Sequence, residues 1–277
     1  MSIVKAITAT GHLDKQNEIL TTEALEDLVQ QGKKNYIKVA ALEHDPRKTP
    51  IGRVVDSNLV TLSDGTLAVE TTMEIFDGEN SLPDQPDKEL KVLLCEDQEN
   101  LLIRYDYSYR NAIAELERLN AKLAHHGELH YYGKKAAEPI SVLVVSGAFI
   151  LGKIFEGFLH KAGEEAFDLL KGELLRALQL PEARDERILE FDLTVSNGSQ
   201  KQSVRLFLTN PSESEIELVL TKGLKRLDNV LGDYLHPSIR ELGINIVNRK
   251  FEVTYALNGK AKPLVPAEEI RLIDIEA

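Results

Sequence analysis

Hydrophobic and polar side chains alternate along residues 51–76, which is the spacing of a half-buried β-strand. Asp64–Gly65 interrupts this alternation, and because Asp-Gly is favoured in two-residue turns, the segment is predicted to form a hairpin. The β-branched residues that open the chain predict an earlier strand. Between the two, Thr21 or Thr22 can cap a short helix that Gly32 closes. The pattern therefore predicts a mainly β N-terminal region.

The pattern changes in the middle of the chain. Residues 101–111 favour a strand, and residues 112–124 favour a helix because hydrophobic side chains recur on one face. The polar stretch 77–87 contains two prolines and predicts an exposed loop. Residues 147–180 have helical periodicity throughout, so we expect one broken helix or two, with the apolar face buried. A charged linker at 181–187 follows.

The C-terminal third returns to strands. They flank two turn dipeptides, Asn197–Gly198 and Asn258–Gly259, and a helix lies between the two groups of strands. We therefore predict an α+β protein in three parts: a mainly β N-terminal domain at 1–146, a helical connector at 147–180 and a small α+β domain at 181–277. Nothing in the last domain suggests chemistry, and we expect it to bind a partner or to regulate the first.

The composition of the chain indicates its cellular compartment and excludes some classes of partner. The chain of 277 residues carries a net charge of −12, and an acidic surface repels phosphates, so we expect no nucleic-acid partner. Its single cysteine, Cys95, fits a reducing compartment, and the first residues lack the apolar core of a signal peptide. The longest uncharged run, 139–152, is shorter than the ~20 residues that span a bilayer. We expect a cytoplasmic protein without a transmembrane span.

Three stretches of the first half follow one another in a characteristic order. A strand and an acidic turn lead into a short helix at 8–28, a His-Asp pair precedes a Pro-Ile-Gly turn and a strand at 42–54, and a further strand follows at 65–77. In this order they resemble the prohead (capsid maturation) proteases of tailed phages, which share a fold with the herpesvirus assemblins. The resemblance covers residues 1–76. It implies a serine peptidase that cleaves itself or a protein partner, in a phage-related or phage-response process.

The resemblance also implies the residues of the active site. His44 would be the general base, Ser108 the nucleophile, and Glu138 the acid that orients the imidazole. Arg110 or a backbone N–H near Ser108 would stabilise the oxyanion. The serine of the family precedes a glycine, whereas this chain has Tyr109 and Arg110 at that point. No cofactor is implied.

Each candidate residue also has a structural interpretation. His44 can be a turn histidine whose ring caps backbone groups, Ser108 a small residue on a strand, and Glu138 a surface acid at a strand start. A catalytically inactive protease fold that serves as a binding or assembly platform is therefore an alternative function. A further alternative is an effector whose central helices drive self-association or membrane contact.

Three histidines follow the helix predicted at 112–124. His126 and His130 are one helical turn apart, with His125 adjacent, which is a spacing that metal sites use. Gly127 breaks the helix between them, and histidines at a helix C-terminus are favoured by the helix dipole. We therefore predict no metal site.

The expected partners are a protein substrate or binding partner, together with self-association.

Overall fold

The structure is a computed structural model, in which the chain forms two compact units. The first unit comprises Met1–Ala41, Thr49–Lys91 and Leu257–Leu264, and the second comprises Leu42–Lys48, Val92–Ala256 and Val265–Ala277. The first unit contains a sheet and one described helix and the second a sheet and five, so the protein is of mixed α/β composition. The structure describes residues 2–14, 19–40, 45–76, 82–95, 101–123, 129–131, 140–162, 164–181, 186–198, 200–234, 236–264 and 272–276.

Five strands form the sheet of the first unit: β1 (Ser2–Thr10), β2 (Asn35–Val39), β3 (Gly52–Thr61), β4 (Leu67–Ile75) and β5 (Glu89–Leu90). Their order across the sheet is β1-β4-β3-β2-β5, and neighbours are antiparallel except for the parallel pair β2 and β5. The predicted hairpin is confirmed as β3 and β4. Its Gly65 has φ 87°, a conformation that glycine adopts without steric cost.

One helix, α1 (Thr22–Lys34), packs against β3 and β4 of this sheet. Its N-cap is Thr21, whose hydroxyl accepts a hydrogen bond from the backbone N–H of Ala24 at 3.2 Å, as predicted. The helix does not end at Gly32. That glycine lies inside it against β3, where an added Cβ would stand 2.0 Å from Oγ of Ser57. Glycine is therefore needed there for a close approach to the sheet rather than for a turn.

The second unit contains an eight-stranded sheet in the order β13-β12-β11-β10-β9-β8-β6-β7. Its neighbours are antiparallel in the pairs β6–β8, β9–β10 and β12–β13 and parallel in β6–β7, β8–β9 and β10–β11. The strands are β6 (Leu102–Tyr105), β7 (Leu129–Tyr131), β8 (Ile140–Ile150), β9 (Glu186–Asn197), β10 (Gln200–Thr209), β11 (Ile239–Val247), β12 (Lys250–Asn258) and β13 (Leu272–Asp274).

Five helices belong to the described part of the second unit. They are α2 (Ile113–Leu123), α3 (Ile154–Ala162), α4 (Glu164–Leu178), α5 (Glu213–Leu218) and α6 (Leu224–Tyr234). A 3-10 turn, Tyr107–Ala112, precedes α2, and a single π-helical turn, Val219–Gly223, joins α5 to α6. The apolar side chains of α3 and α4 that the structure describes lie in the core of this unit, as predicted.

The two faces of β9 have opposite character. Leu189, Phe191 and Leu193 point into the apolar core that the helices complete. Glu190 and Asp192 lie on the other face and are also buried. Successive side chains of a strand point to opposite faces, so β9, although buried on both, has one apolar face and one charged face.

The structure corrects the predicted elements at two further positions. Residues 147–150, expected to be helical, are the end of β8, which pairs with β9 over its whole length. The strand expected at 101–111 ends at Tyr105, and the 3-10 turn replaces its second half. Residues 147–150 are apolar, whereas residues 106–111 alternate tyrosines with polar side chains, and periodicity alone does not identify the backbone conformation over so few residues. The compact units accordingly differ from the predicted domains, because residues 92–146 belong to the same unit as β9 to β13.

Candidate active site

Of the three residues that the sequence assigns to catalysis, the structure describes one. His44 and Glu138 lie outside the described residues. Ser108 is half-buried and lies in the first part of the 3-10 turn after β6, not on a strand as expected. The turn and the strand ends around it therefore determine the position of Ser108.

Asp106 holds Ser108 at this position. The Asp106 side chain is fully buried, and its Oδ1 accepts hydrogen bonds from the backbone N–H of Ser108 at 2.9 Å and from the Ser108 hydroxyl at 2.5 Å. Its other oxygen, Oδ2, accepts from the backbone N–H of Val142 at 2.7 Å. Asp106 is thus both the N-cap of the 3-10 turn and a tie between that turn and the start of β8.

A second buried carboxylate, Asp45, directly follows His44. Arg47 donates to Asp45 from its backbone N–H at 3.0 Å and from its guanidinium at 2.8 Å. The same guanidinium donates to Glu186 at 2.5 Å, at the start of β9, and to the hydroxyl of Thr209 at 2.7 Å, at the end of β10. These bonds fix the segment that follows His44 to the ends of two strands.

The Asp45–Arg47 pair is a strong one because both partners stay ionised. Burial opposes ionisation of Asp45, but the hydrogen bonds and the charge of Arg47 outweigh it, so the pKa of Asp45 lies below its ordinary value. The hydrogen bond that Arg47 donates to Asp45 in turn raises the pKa of Arg47. Arg47 therefore neutralises the acid next to His44.

These anchored segments meet at one end of the second unit's sheet. The end of β6 lies beside the start of β8, where Tyr105 pairs with Leu143. The start of β8 lies beside the start of β9, where Ile140 pairs with Glu186. Strands are spaced by about 4.8 Å, so β6 and β9, with β8 between them, are about 10 Å apart. Three described residues therefore lie at this end of the sheet: Asp45, Asp106 and Ile140. Each is one or two positions from a predicted catalytic residue.

The chemistry available to Ser108 depends on its hydrogen bond to Asp106. A serine hydroxyl attacks efficiently when a base removes its proton, and the proton acceptor that the Ser108 hydroxyl contacts in this structure is the Asp106 carboxylate. Two of the histidines with described side chains bond elsewhere, His12 to Asp64 at 2.7 Å and His236 to Ser238 at 2.8 Å. The neighbouring Tyr109 is fully buried, and burial raises the pKa of its phenol, which stays protonated.

Asp106 and Arg47 are the residues of this region that sequence analysis did not identify. Asp106 stands two positions before Ser108, the spacing at which an aspartate caps a turn, and this signal is visible in the sequence. Arg47 follows Asp45 in the same way, in the stretch Asp-Pro-Arg. Its second partner, Glu186, is 139 positions away, and no local pattern predicts that contact.

A cluster of buried charges occupies the opposite face of β9 from the apolar core. Arg205 bonds to Glu190 through Nε at 2.7 Å, and its Nη1 lies 3.5 Å from Glu241, which accepts the hydroxyl of Tyr255 at 2.9 Å. Nearby, Arg104 donates to Ser146 and to Asp192 at 2.5 Å, and Ser203 donates to Asp192 at 3.2 Å. The acids and bases of this cluster pair with one another, which is the expected arrangement of buried structural charges.

The first unit has a comparable buried pair. Arg53 and Glu74 are both fully buried and joined at 2.8 Å, and the Arg53 guanidinium stacks 4.2 Å from the ring centre of Tyr36. Lys88 donates to the backbone carbonyls of Gly32 and Val55 at 2.7 and 2.6 Å. Burial lowers the pKa of Lys88. These contacts pair the buried charges of Arg53, Glu74 and Lys88 within the first unit.

Within the described ranges, histidine, cysteine, aspartate and glutamate form no group of three or more that can hold a metal ion. Each helix in the part of the chain that the structure covers is too short or too polar to cross a membrane. Comparison of the chain with protein-family models, curated proteins and solved structures gave no match.

Proposed function

We propose that the protein is a serine peptidase of the prohead-protease type that cleaves itself or a protein partner. The observation that supports this proposal is that Asp45, through Arg47, and Asp106 are tied to the same end of the second unit's sheet as Ile140. These residues lie one or two positions from His44, Ser108 and Glu138, which are 64 and 30 positions apart in the chain. A shared sheet end is what a catalytic triad from three distant segments requires.

In this proposal each residue has a defined role. His44 removes the proton from the Ser108 hydroxyl as its oxygen attacks the peptide carbonyl carbon, and Glu138 stabilises the resulting imidazolium. The C–N bond then breaks as His44 gives the proton to the leaving amine. Water, deprotonated by His44, attacks the acyl ester; the bond from the acyl carbon to Oγ then breaks as His44 returns the proton to Oγ, which frees Ser108. Backbone N–H groups of the 3-10 turn or Arg110 stabilise the oxyanion in both steps.

The Asp106 hydrogen bond describes the resting position of the nucleophile. For attack, the Ser108 hydroxyl has to turn from Asp106 to His44, while the backbone N–H of Ser108 keeps Asp106 as its acceptor. The serine backbone therefore stays fixed while its hydroxyl changes partner. Arg47 supports the same chemistry because it occupies the Asp45 carboxylate, leaving the adjacent imidazole to Glu138.

A fluorophosphonate probe, which labels activated serine hydroxyls, tests the proposal. We expect labelling of the parent and of the control Ser214→Ala, which removes an exposed hydroxyl from α5. Labelling should be lost in Ser108→Ala and in His44→Ala, with melting temperatures near that of the parent. If the parent is not labelled in any oligomeric state, or if Ser108→Ala is labelled as strongly as the parent, the peptidase proposal is wrong.

A binding or assembly platform on the same fold is the second candidate function. The hydrogen bond between Ser108 and Asp106 favours it, because an N-capping network of this kind is fully explained by local structure. On this alternative, His44→Ala and Ser108→Ala leave partner binding unchanged. The third alternative, an effector that acts through its central helices, is less favoured since Ile154, Phe158 and Leu174 of α3 and α4 are buried.

A further inference from the structure

The strand β1 forms an open edge of the first unit's sheet. It pairs on one side with β4, antiparallel, from Ser2 opposite Ile75 onward. In the described part of the chain, no strand pairs with its other side. A strand in this position presents a row of backbone N–H and C=O groups that a further strand can use.

Two features of the kind that protect an edge occur in β1, Lys5 and a bulge after Ile7, and they leave most of Ser2–Ile7 open to pairing. The strand has nine residues, no proline and one charged side chain, Lys5, whose ammonium group pairs with Glu70 on β4 at 3.5 Å. Ile3, Val4 and Ile7 are 50%, 41% and 44% exposed. Ile3 and Ile7 lie on one face of the strand and Val4 on the other, so apolar surface is exposed on both faces. A strand added at this edge pairs with the open backbone groups and contacts the side chains of β1 from beside, on both faces, whereas a helix packs against one face only.

We infer that this edge pairs with β1 of a second copy of the chain, antiparallel and about a two-fold axis, to form a continuous ten-stranded sheet. The inference is independent of the proposed peptidase activity. A β-bulge between Ile7 and Ala9 limits the straight part of the strand to Ser2–Ile7. Antiparallel pairing about a two-fold axis places one residue of this part opposite the same residue of the second copy. The charge of Lys5 determines which residue takes that position.

Two registers align the straight part over five residues. The first is centred on Lys5 and sets two lysines directly opposite each other, which is destabilising. The second is centred on Val4 and sets Lys5 opposite Ile3, so that the methylene chain of the lysine packs on an isoleucine. The self-pairing register is therefore the one that places Val4 opposite Val4 of the second copy.

The position of Val4 on the two-fold axis provides a sharp test by charge. Val4→Lys and Val4→Glu should each be monomeric by light scattering at concentrations where the parent is a dimer, because each places like charges opposite each other. An equimolar mixture of the two variants should recover a heterodimer. Val247→Lys is the matched control, since Val247 is a strand valine of the same exposure, 41%, at the end of β11, and this variant should remain dimeric.

A cross-link tests the register. Residues directly opposite in an antiparallel pair have Cα atoms about 4.5–5.5 Å apart, within the range that a disulfide bridges. Val4→Cys should therefore form a covalent dimer on mild oxidation, and Val247→Cys should not, with the buried native Cys95 unreactive in both. A monomeric parent, or dimers that survive in Val4→Lys and in Val4→Glu alike, would overturn the inference.

Discussion

The hydroxyl of Ser108 and the carboxylate of Asp106 are joined by a hydrogen bond of 2.5 Å, and the same carboxylate accepts two backbone N–H groups. One buried acid therefore fixes a turn, a strand start and the predicted nucleophile. Ser108 contributes to the fold and to the proposed chemistry through different atoms, so its two roles can be separated by mutation. The backbone N–H serves the fold, while the hydroxyl is the group that chemistry would use.

Replacing Asp106 should be far more destabilising than replacing Ser108. Asp106→Ala leaves the N–H groups of Ser108 and Val142 without their acceptor, at about 1–3 kcal/mol for each buried donor. Ser108→Ala removes only the hydroxyl bond and should cost about 1 kcal/mol. Chemical denaturation monitored by circular dichroism measures both. Equal losses in the two variants would show that Asp106 does not cap the turn as described.

The buried pair of Arg53 and Glu74 should depend on both partners. Arg53→Met leaves the Glu74 carboxylate buried without its counter-charge, and we expect a loss of about 3–5 kcal/mol. The double variant Arg53→Met with Glu74→Gln removes both charges, and the glutamine oxygen can still accept from the N–H of Leu82. It should be more stable than Arg53→Met alone. A double variant that unfolds at the same or a lower denaturant concentration than the single one would contradict this prediction.

The pKa of Asp45 predicts a specific loss of stability in acid. Because that pKa is lowered below 3.8 in the folded protein, the ionised carboxylate contributes stability that is fully present above pH 3.8 and is lost as pH falls through the folded value. The free energy of unfolding of the parent should therefore fall more steeply below pH 3.8 than that of Asp45→Asn. The exposed Asp27→Asn is the control and should follow the parent. Parallel curves for the parent and Asp45→Asn would contradict the assignment.

Two glycines should respond to alanine in opposite ways. At Gly243 on β11, an added Cβ would lie 2.2 Å from the ring of the buried Tyr255, so Gly243→Ala should cost about 1–3 kcal/mol or more. At Gly172 in α4, nothing lies within 4 Å of the added atom, and Gly172→Ala should stabilise the protein by about 0.5–1 kcal/mol. Thermal unfolding compares the two directly. A neutral Gly243→Ala would show that Tyr255 can move away from the strand.

Elements whose signals are local were predictable from the sequence. The hairpin of β9 and β10 forms around Asn197–Gly198, where Gly198 has φ 62°, and the cap of α1 at Thr21 is equally local. In each case the residues that determine the element are within a few positions of one another. The chain therefore has few alternatives there, and backbone geometry selects the turn or cap.

Tertiary structure decided the elements and contacts whose partners are distant in sequence. Residues 147–150 extend β8 because β9 pairs alongside them, although their own pattern resembles a helix. The strands β10 and β11 are parallel neighbours, which no turn between them could indicate. Arg47 reaches Glu186, and Asp106 reaches the N–H of Val142. By itself, the sequence determined the hairpins, the capped helix and the residue types available for chemistry. Only the folded sheet decided which of them meet, because a strand end or a buried ion pair is completed by a partner whose identity is not encoded nearby.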